Sequence, residues 1–226
     1  NILGANNDPS YQGPPTSQIS AHVSSLQHLK NVYASIQKHA TQAEVILLDD
    51  GSTDNTLSLL REYGDAISII SHPNCGESES VTRAFNKSRG DFLLVVSADD
   101  PLLTSELFQE VFDWFESDKN LVAVYPDWQM IDPVGNVLQT VLVPDYSDDL
   151  LIGECRTLPG PGVIFRKDAA LAIGGRLSKW VYVGDYDFWL RASRLFEIGM
   201  IKEVLSQYRL TFRWTYQSQL FLSRFS

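Results

Sequence analysis

Two pairs of adjacent carboxylates carry the strongest chemical signal: Asp49 and Asp50 in "EVILLDDGSTDNT", and Asp99 and Asp100 in "DFLLVVSADDP". Each pair closes a short apolar run and is therefore predicted to sit at the mouth of a buried strand. In open α/β sheets, loops and helix N-termini converge on ligands at that rim. Consecutive strand residues point to opposite faces, so each pair can send one carboxylate toward a ligand and turn the other toward the protein. Four acids near one rim repel an anion unless a divalent cation bridges them. Mg²⁺ is often held by one or two carboxylates plus substrate phosphates. The chain has no phosphate-cradling loop of the P-loop kind, so a nucleoside diphosphate held through a cation is the expected ligand. Either pair alone reads equally well as a strand terminus with turn-forming Asp. Together they favour a site.

The elements that must position these acids can be read from periodicity. Leu26, Leu29, Val32, Tyr33 and Ile36 recur at helical steps and predict a helix over roughly residues 24 to 39. Val45 to Leu48 is an unbroken apolar run, as in a parallel strand covered on both faces. Gly51 breaks it, and Ser52, Thr53 or Asp54 can cap the helix carried by Leu57 and Leu60. A weak strand "AISII", a turn "HPNCG" and a helix with Val81, Ala84 and Phe85 follow, then the strand "DFLLVVS" and the amphipathic helix "TSELFQEVFDWFES". Three strand–helix alternations predict βαβ units and a mostly parallel sheet flanked by helices. Beyond residue 120, "LVAVYPDWQMI", "DPVGN" and "VLQTVLV" predict a hairpin attached to that sheet. "GDYDFWLRASRLFEIG" is the last clear helix. Residues 7 to 20 are rich in Pro, Ser, Asn and Gly and predict a long loop.

Composition sets the outer limits. The chain has 226 residues, 44% hydrophobic and 11% aromatic, enough for one sizeable core. Its formal charge of −10, from 28 acidic against 18 basic residues with no Lys/Arg block, argues against nucleic acid or an anionic membrane as partner. No run approaches the roughly 18 apolar residues of a membrane span, and the start lacks the pattern of a signal peptide. A chain that starts without Met is expected to be cut from something longer. Cys75 and Cys155 show no metal-ligand spacing and fit a reducing compartment. The expected location is the cytoplasm, with membrane association or membership of a longer chain left open. His22, His28, His39 and His72 likewise show no metal spacing and read as ordinary, and "RGD" at 89–91 reads as a turn.

Taken in order and spacing, "VILLDDGSTDNT", "NCGESESVTRAFNKSRGDFLLVVSADD", "PGPGVIFRKDAALAIGG" and "GDYDFWLRAS" resemble the nucleotide-sugar-dependent GT-A glycosyltransferases of family 2. The resemblance spans roughly residues 24 to 210. It implies a GT-A type three-layer α/β/α fold with a mostly parallel central sheet plus a small antiparallel extension. Residues 1–226 would form one domain, with a nucleotide-binding half (1–120) and an acceptor-binding half (121–226). It implies transfer from a UDP-, GDP- or dTDP-sugar to a carbohydrate or lipid-linked acceptor, with Mn²⁺ or Mg²⁺ on the diphosphate. Carried across, Asp50 meets the nucleobase edge, Arg83 faces the nucleotide, Asp99 meets the ribose or sugar, and Asp100 holds the metal.

An inverting transfer also needs a base on the acceptor hydroxyl, and "GDYDF" offers two carboxylates. Positions two apart on a helix do not face the same way, so at most one enters the cleft. The family pattern puts the base at Asp185 and leaves Asp187 to pair with Arg191; for Asp185 a helix N-cap is the alternative. Two departures from the family pattern stand out. Gly184 occupies a position where members commonly carry Glu, and the chain opens at "NILGANND" where members have an apolar strand, so that either Asn1 to Ala5 is the stub of that strand or the strand has been trimmed away. "LPGPG" at 158–162 is expected to shape the acceptor side, and Trp180, Tyr182 and Trp189 are candidates for stacking on a sugar. A sugar-1-phosphate nucleotidyltransferase would bring a Gly-rich, basic N-terminal loop, which is missing. A non-catalytic nucleotide- or sugar-binding module of the same fold remains the alternative.

Overall fold

The computed structural model describes residues 23–39, 43–104, 106–156, 158–180 and 183–210. The predicted loop at residues 7 to 20, the first-strand question at Asn1 to Ala5, His22, and Tyr182 all lie outside them. The first helix, α1 (Val23–His39), falls where periodicity placed it, and Val32 and Tyr33 of its apolar face are buried. β1 (Ile46–Asp49) leads through Gly51 to α2 (Thr56–Leu60) and a 3-10 turn, then to β2 (Ser68–Ser71), which pairs in parallel with β1 from Ile46 opposite Ser68 to Asp49 opposite Ser71. Asp54 accepts the amide of Thr56 at 2.9 Å and so serves the first turn of α2. α3 (Glu77–Lys87), β3 (Phe92–Leu94) and α4 (Glu106–Ser117) complete the alternating half.

The second half contains the hairpin expected at residue 120 and beyond: β4 (Leu121–Ile131) turns at residues 132–136 into antiparallel β5 (Val137–Val141). β6 (Ile164–Arg166) and α5 (Lys167–Ala172) follow, then α6 (Gly184–Ser193) and β7 (Glu197–Arg209). Among the described residues β1 and β2 form one sheet, while β3, β6, β4 and β5 lie in that order in a second sheet whose fifth strand, β7, also pairs with β4. Parallel pairing, expected through most of the sheet, is found between β1 and β2 and between β4 and β7. β6 runs antiparallel to both its neighbours, β3 and β4, because it enters the sheet from the opposite end after the hairpin.

β7 is the element that periodicity did not reveal. Gly199 and the adjacent Lys202 and Glu203 interrupt its alternation, and its pairing with β4 shifts register around Pro126 and Asp127. Such bulges break the period-two pattern on which strand reading depends.

Two clusters make the core. Val81 and Phe85 of α3, Tyr125 of β4, Phe165 of β6, and Phe188 and Trp189 of α6 form one, with Phe165 edge-on to both Phe188 and Trp189 at 5.7 Å. Trp189, a candidate for sugar stacking, is 3% exposed and belongs to this core. Val111 and Phe115 of α4 pack with Val124, Ile164, Ile201 and Leu205 in the other. Leu48, just before the first acid pair, and Val95, shortly before the second, both pack on the first cluster, which anchors the ends of β1 and β3 to a common floor. No helix among the described residues is long and apolar enough to cross a membrane.

Gly51 shows how closely the connections approach. Its φ is +83°, and a Cβ there would lie 2.6 Å from the backbone nitrogen of Asn74. Gly51→Ala is therefore expected to cost about 1–3 kcal/mol of stability through backbone strain and displacement of the 72–76 turn. The measurement is a urea unfolding curve, with the midpoint falling and the slope unchanged.

Candidate active site

The two members of the first acid pair diverge as strand geometry requires. Asp49, 1% exposed, accepts the Ser52 amide at 3.1 Å and the Ser71 hydroxyl at 2.7 Å, so it ties the end of β1 to the end of β2. Asp50 turns the other way, toward the turn before α3. Its Oδ1 accepts the Cys75 amide at 2.8 Å and its Oδ2 the Gly76 amide at 3.0 Å, while His72 Nδ1 lies 3.3 Å from Oδ1. A carboxylate offers about four lone-pair sites, so two amide bonds fix its orientation without using its full acceptor capacity.

His72 and Cys75, which spacing left as ordinary residues, are drawn together here. Cys75 Sγ is 3.4 Å from His72 Nδ1, and with Asp50 these form a group of three metal-ligating side chains whose ligand atoms all lie within 4.8 Å of one another. Burial pushes the Cys75 thiol up, partly offset by a hydrogen bond from Ser80.

Two of the predicted residues, Asp50 and Arg83, are tied to α3. Asp50 binds the residues leading into it. Arg83 lies two turns along, half-exposed, and pairs with Glu79 at 3.0 Å. That hydrogen bond first, and then the charges of Cys75, Glu79 and Asp50, hold the guanidinium in its protonated form. On the other side, Gly184 at the start of α6 touches α3: a Cβ there would sit 2.2 Å from Ser78 Oγ, which itself donates to the Trp180 carbonyl at 3.4 Å. The Glu that relatives in the resemblance carry has no room here while Ser78 stays in place. Asp185, next in line, is exposed; its Oδ1 accepts the Tyr186 amide at 2.7 Å. The N-cap is Val183, so Asp185 is inside the helix and not its cap. Asp187 pairs with Arg191 at 2.8 Å, the helix-surface ion pair expected from their spacing. Trp180 is 39% exposed, with Lys179 Nζ 5.0 Å above its ring, and stays available to a ligand.

The second acid pair is assembled separately. Asp100 is 6% exposed, and Oδ1 accepts the backbone amide of Arg209, at the end of β7, at 2.8 Å. The Arg209 guanidinium bonds the carbonyls of Asp99, Asp132 and Pro133 at 3.0, 3.1 and 3.3 Å. Burial, and next the neighbouring Asp99 charge, push the Asp100 carboxyl up to about 7, against the lowering influence of Arg209 and Ser97. The same surroundings push Tyr208 up to about 12, through burial first and then the charges of Asp100 and Asp99. Arg209 was missed by sequence reasoning. Its only local signal is a basic residue ending a strand, and nothing in the sequence indicates which acid it meets 109 positions earlier. No third metal-ligating side chain gathers at Asp100 among the described residues. A carboxylate oxygen is the donor type that hard cations such as Mg²⁺ take.

The profile of glycosyl transferase family 2 matches residues 19–168. An uncharacterised glycosyltransferase of Rickettsia prowazekii is 28% identical over 180 residues, 74% of this chain and 54% of that protein. An uncharacterised glycosyltransferase of Methanocaldococcus jannaschii is 25% identical over 185 residues, covering 78% of this chain and 63% of the relative. The chain thus spans between half and two thirds of the length of these relatives. Among solved structures, S. aureus TarS superposes with a TM-score of 0.64 at 18% identity, over 82% of this chain and 58% of the other, a likeness of fold.

The raised Asp100 carboxyl makes stability depend on pH in a defined direction. Between its ordinary value near 4 and about 7, the folded chain binds a proton that the unfolded chain has released, so this group lowers stability as pH rises through that window. The effect is expected to reach no more than about 4 kcal/mol and to be complete above pH 7. Asp100→Asn keeps the shape and removes the charge. Urea unfolding of both proteins without divalent cations is expected to show the variant gaining on the wild type from pH 5 to pH 8.

Proposed function

The chain belongs to glycosyl transferase family 2, and on that premise we propose that it transfers a sugar from a nucleoside-diphosphate donor to an acceptor hydroxyl. The observation that carries this reading is the Asp99–Asp100 pair after β3: Asp100 is 6% exposed, its Oδ1 is fixed by the Arg209 amide, and the adjoining Asp99 charge favours a cation between the pair and an anionic donor. Mn²⁺ or Mg²⁺ held by Asp100 would supply positive charge to the departing diphosphate. Asp50, fixed by two amides, receives the nucleobase edge; Arg83 faces the nucleotide from α3; Asp99 takes the ribose or the sugar.

Asp185 is the proposed base. Its exposed carboxylate sits at the start of α6, beside the N-terminal turn of α3. It accepts the proton of the acceptor hydroxyl as that oxygen forms its bond to the anomeric carbon, and the bond from that carbon to the diphosphate breaks on the opposite face. The outcome is inversion. The finer architecture that goes with this reading is a GT-A three-layer sandwich with donor site in residues 1–120 and acceptor site in 121–226. The proposed part of "LPGPG" is to shape the acceptor side; Leu158 there is buried and Gly160 lies against Trp128.

The neighbours give this reading direction. TarS structures are described in complex with UDP and with UDP-GlcNAc, which makes a UDP-sugar the first donor to test. Matching segments also come from chondroitin synthase of Escherichia coli, 30% identical over 123 residues, and from an undecaprenyl-phosphate 4-deoxy-4-formamido-L-arabinose transferase of Proteus mirabilis, 32% identical over 78 residues. A carbohydrate acceptor and a lipid-linked acceptor are both supported by these relatives. Two free cysteines fit a cytoplasmic site of action.

A second reading, a binding module without catalysis, draws on one observation: Ser78 fills the space a side chain at 184 would need. Donor hydrolysis separates the two readings, since a binding module releases no nucleotide.

Thermal unfolding with UDP-, GDP- and dTDP-sugars, with and without Mn²⁺, is expected to show stabilisation by one donor only when the cation is present. Asp185→Asn is expected to leave donor affinity unchanged and to lower turnover by roughly 10² to 10⁴ fold. Equal loss of affinity and turnover would make Asp185 a structural residue.

A further inference from the structure

The group formed by Asp50, His72 and Cys75 is not explained by the reaction proposed above. Asp50 alone has a part in it; a thiol and an imidazole within 3.4 Å of each other do not. We infer that these three side chains form a binding site for a thiophilic divalent cation, with Zn²⁺ the best match.

The geometry supports this first. Zinc bound at about 2.3 Å to sulfur and about 2.0–2.2 Å to nitrogen and oxygen, with tetrahedral angles, separates its nitrogen and sulfur ligands by about 3.5 Å and its nitrogen and oxygen ligands by about 3.4 Å. The corresponding distances here are 3.4 Å from His72 Nδ1 to Cys75 Sγ and 3.3 Å from His72 Nδ1 to Asp50 Oδ1. Sγ and Oδ1 also fall within the 4.8 Å limit that contains the group.

Preorganisation supports it second. The amides of Cys75 and Gly76 pin the Asp50 carboxylate, and the His72 side chain is 7% exposed, so two of the three ligands are held before a cation arrives. One carboxylate, one imidazole and one thiolate make a mixed N/O/S set, which suits Zn²⁺ and not Mg²⁺. This separates the site from Asp100, which offers a cation only carboxylate oxygen.

Two features oppose coordination: the Pro73 carbonyl lies 3.0 Å from His72 Nδ1, so coordination gives up a hydrogen bond there, and the far side of the ring is left unpaired. Binding through Nδ1 leaves the ring proton on Nε2, which is buried without a hydrogen-bond partner among the described residues. That is one lost hydrogen bond and one unpaired donor against three coordinate bonds. The Cys75 thiol releases its proton to solvent as the cation binds.

The consequence rests on the proposed role of Asp50 at the nucleobase. A cation on Asp50 competes with the base for the same carboxylate, so zinc and nucleotide are expected to exclude each other. The chain would then carry two cation sites of opposite effect, a hard one that recruits the donor and a soft one that blocks it.

The test uses the chain carrying Cys155→Ser, which leaves Cys75 as its single thiol. Titration with Co²⁺ is expected to produce a sulfur-to-cobalt charge-transfer band and strong tetrahedral visible bands at one ion per chain. The charge-transfer band should vanish in the added Cys75→Ser variant, and the ion should bind at least tenfold more weakly in His72→Ala. Failure of the Cys155→Ser chain to develop the band overturns the site. Should either added variant fail to fold, alkylation of Cys75 by iodoacetamide, read by mass spectrometry on the Cys155→Ser chain, decides the matter: Zn²⁺ should slow it at least tenfold, and equal rates overturn the site. UDP should then displace the cobalt. UDP binding that ignores bound Zn²⁺ overturns the exclusion, whereas failure of the zinc-free chain to bind UDP, GDP or dTDP in the presence of Mg²⁺ sinks the donor reading and leaves the metal site standing.

Discussion

The site depends on carboxylates held by backbone amides. Asp49 is held by the Ser52 amide, Asp50 by those of Cys75 and Gly76, and Asp100 by that of Arg209. An N–H group is a dipole without net charge, so it orients a carboxylate without neutralising it. A lysine or arginine in the same place would fix the carboxylate equally well but cancel its charge. The chain thus keeps these carboxyl groups aimed by dipoles and not by a lysine or arginine side chain.

Arg209 illustrates the same division of labour. It is a buried arginine close to two acids, yet its guanidinium bonds the carbonyls of Asp99, Asp132 and Pro133, and its backbone amide meets the Asp100 carboxylate. It fastens the turn after β3 to the end of β7 and to the β4–β5 turn. Its charge lowers the Asp100 carboxyl only as the weakest of several influences. A strand at the far end of the chain in this way sets the orientation of an acid near its middle.

The departure at Gly184 has a physical cause in the packing of two helix starts. α3 and α6 approach so closely that Ser78 Oγ stands where a Cβ would be, and the Ser78 hydroxyl links the two segments through Trp180. Close approach brings the first turn of α6, with Asp185, beside the same α3 turn that holds Asp50. The contact that removes one carboxylate from the motif is the contact that sets the position of the other.

Sequence alone determined the elements whose information is local. The helices at residues 24 to 39, 77 to 87 and 106 to 117 follow from 3.6-residue periodicity, the β4–β5 hairpin from its turn residues, the opposite facing of Asp49 and Asp50 from the strand repeat, and the Asp187–Arg191 pair from helical spacing. The order of the motifs was enough to suggest the family. Only the tertiary structure decided what depends on residues distant in sequence: the antiparallel entry of β6, the bulged pairing of β7, the burial of Trp189, the meeting of Arg209 with Asp100, and the gathering of His72 and Cys75 about Asp50. Periodicity reports which face of an element is apolar, because that is fixed within a few residues. It carries no record of which other element that face will meet, because partner choice is set by packing across the whole chain.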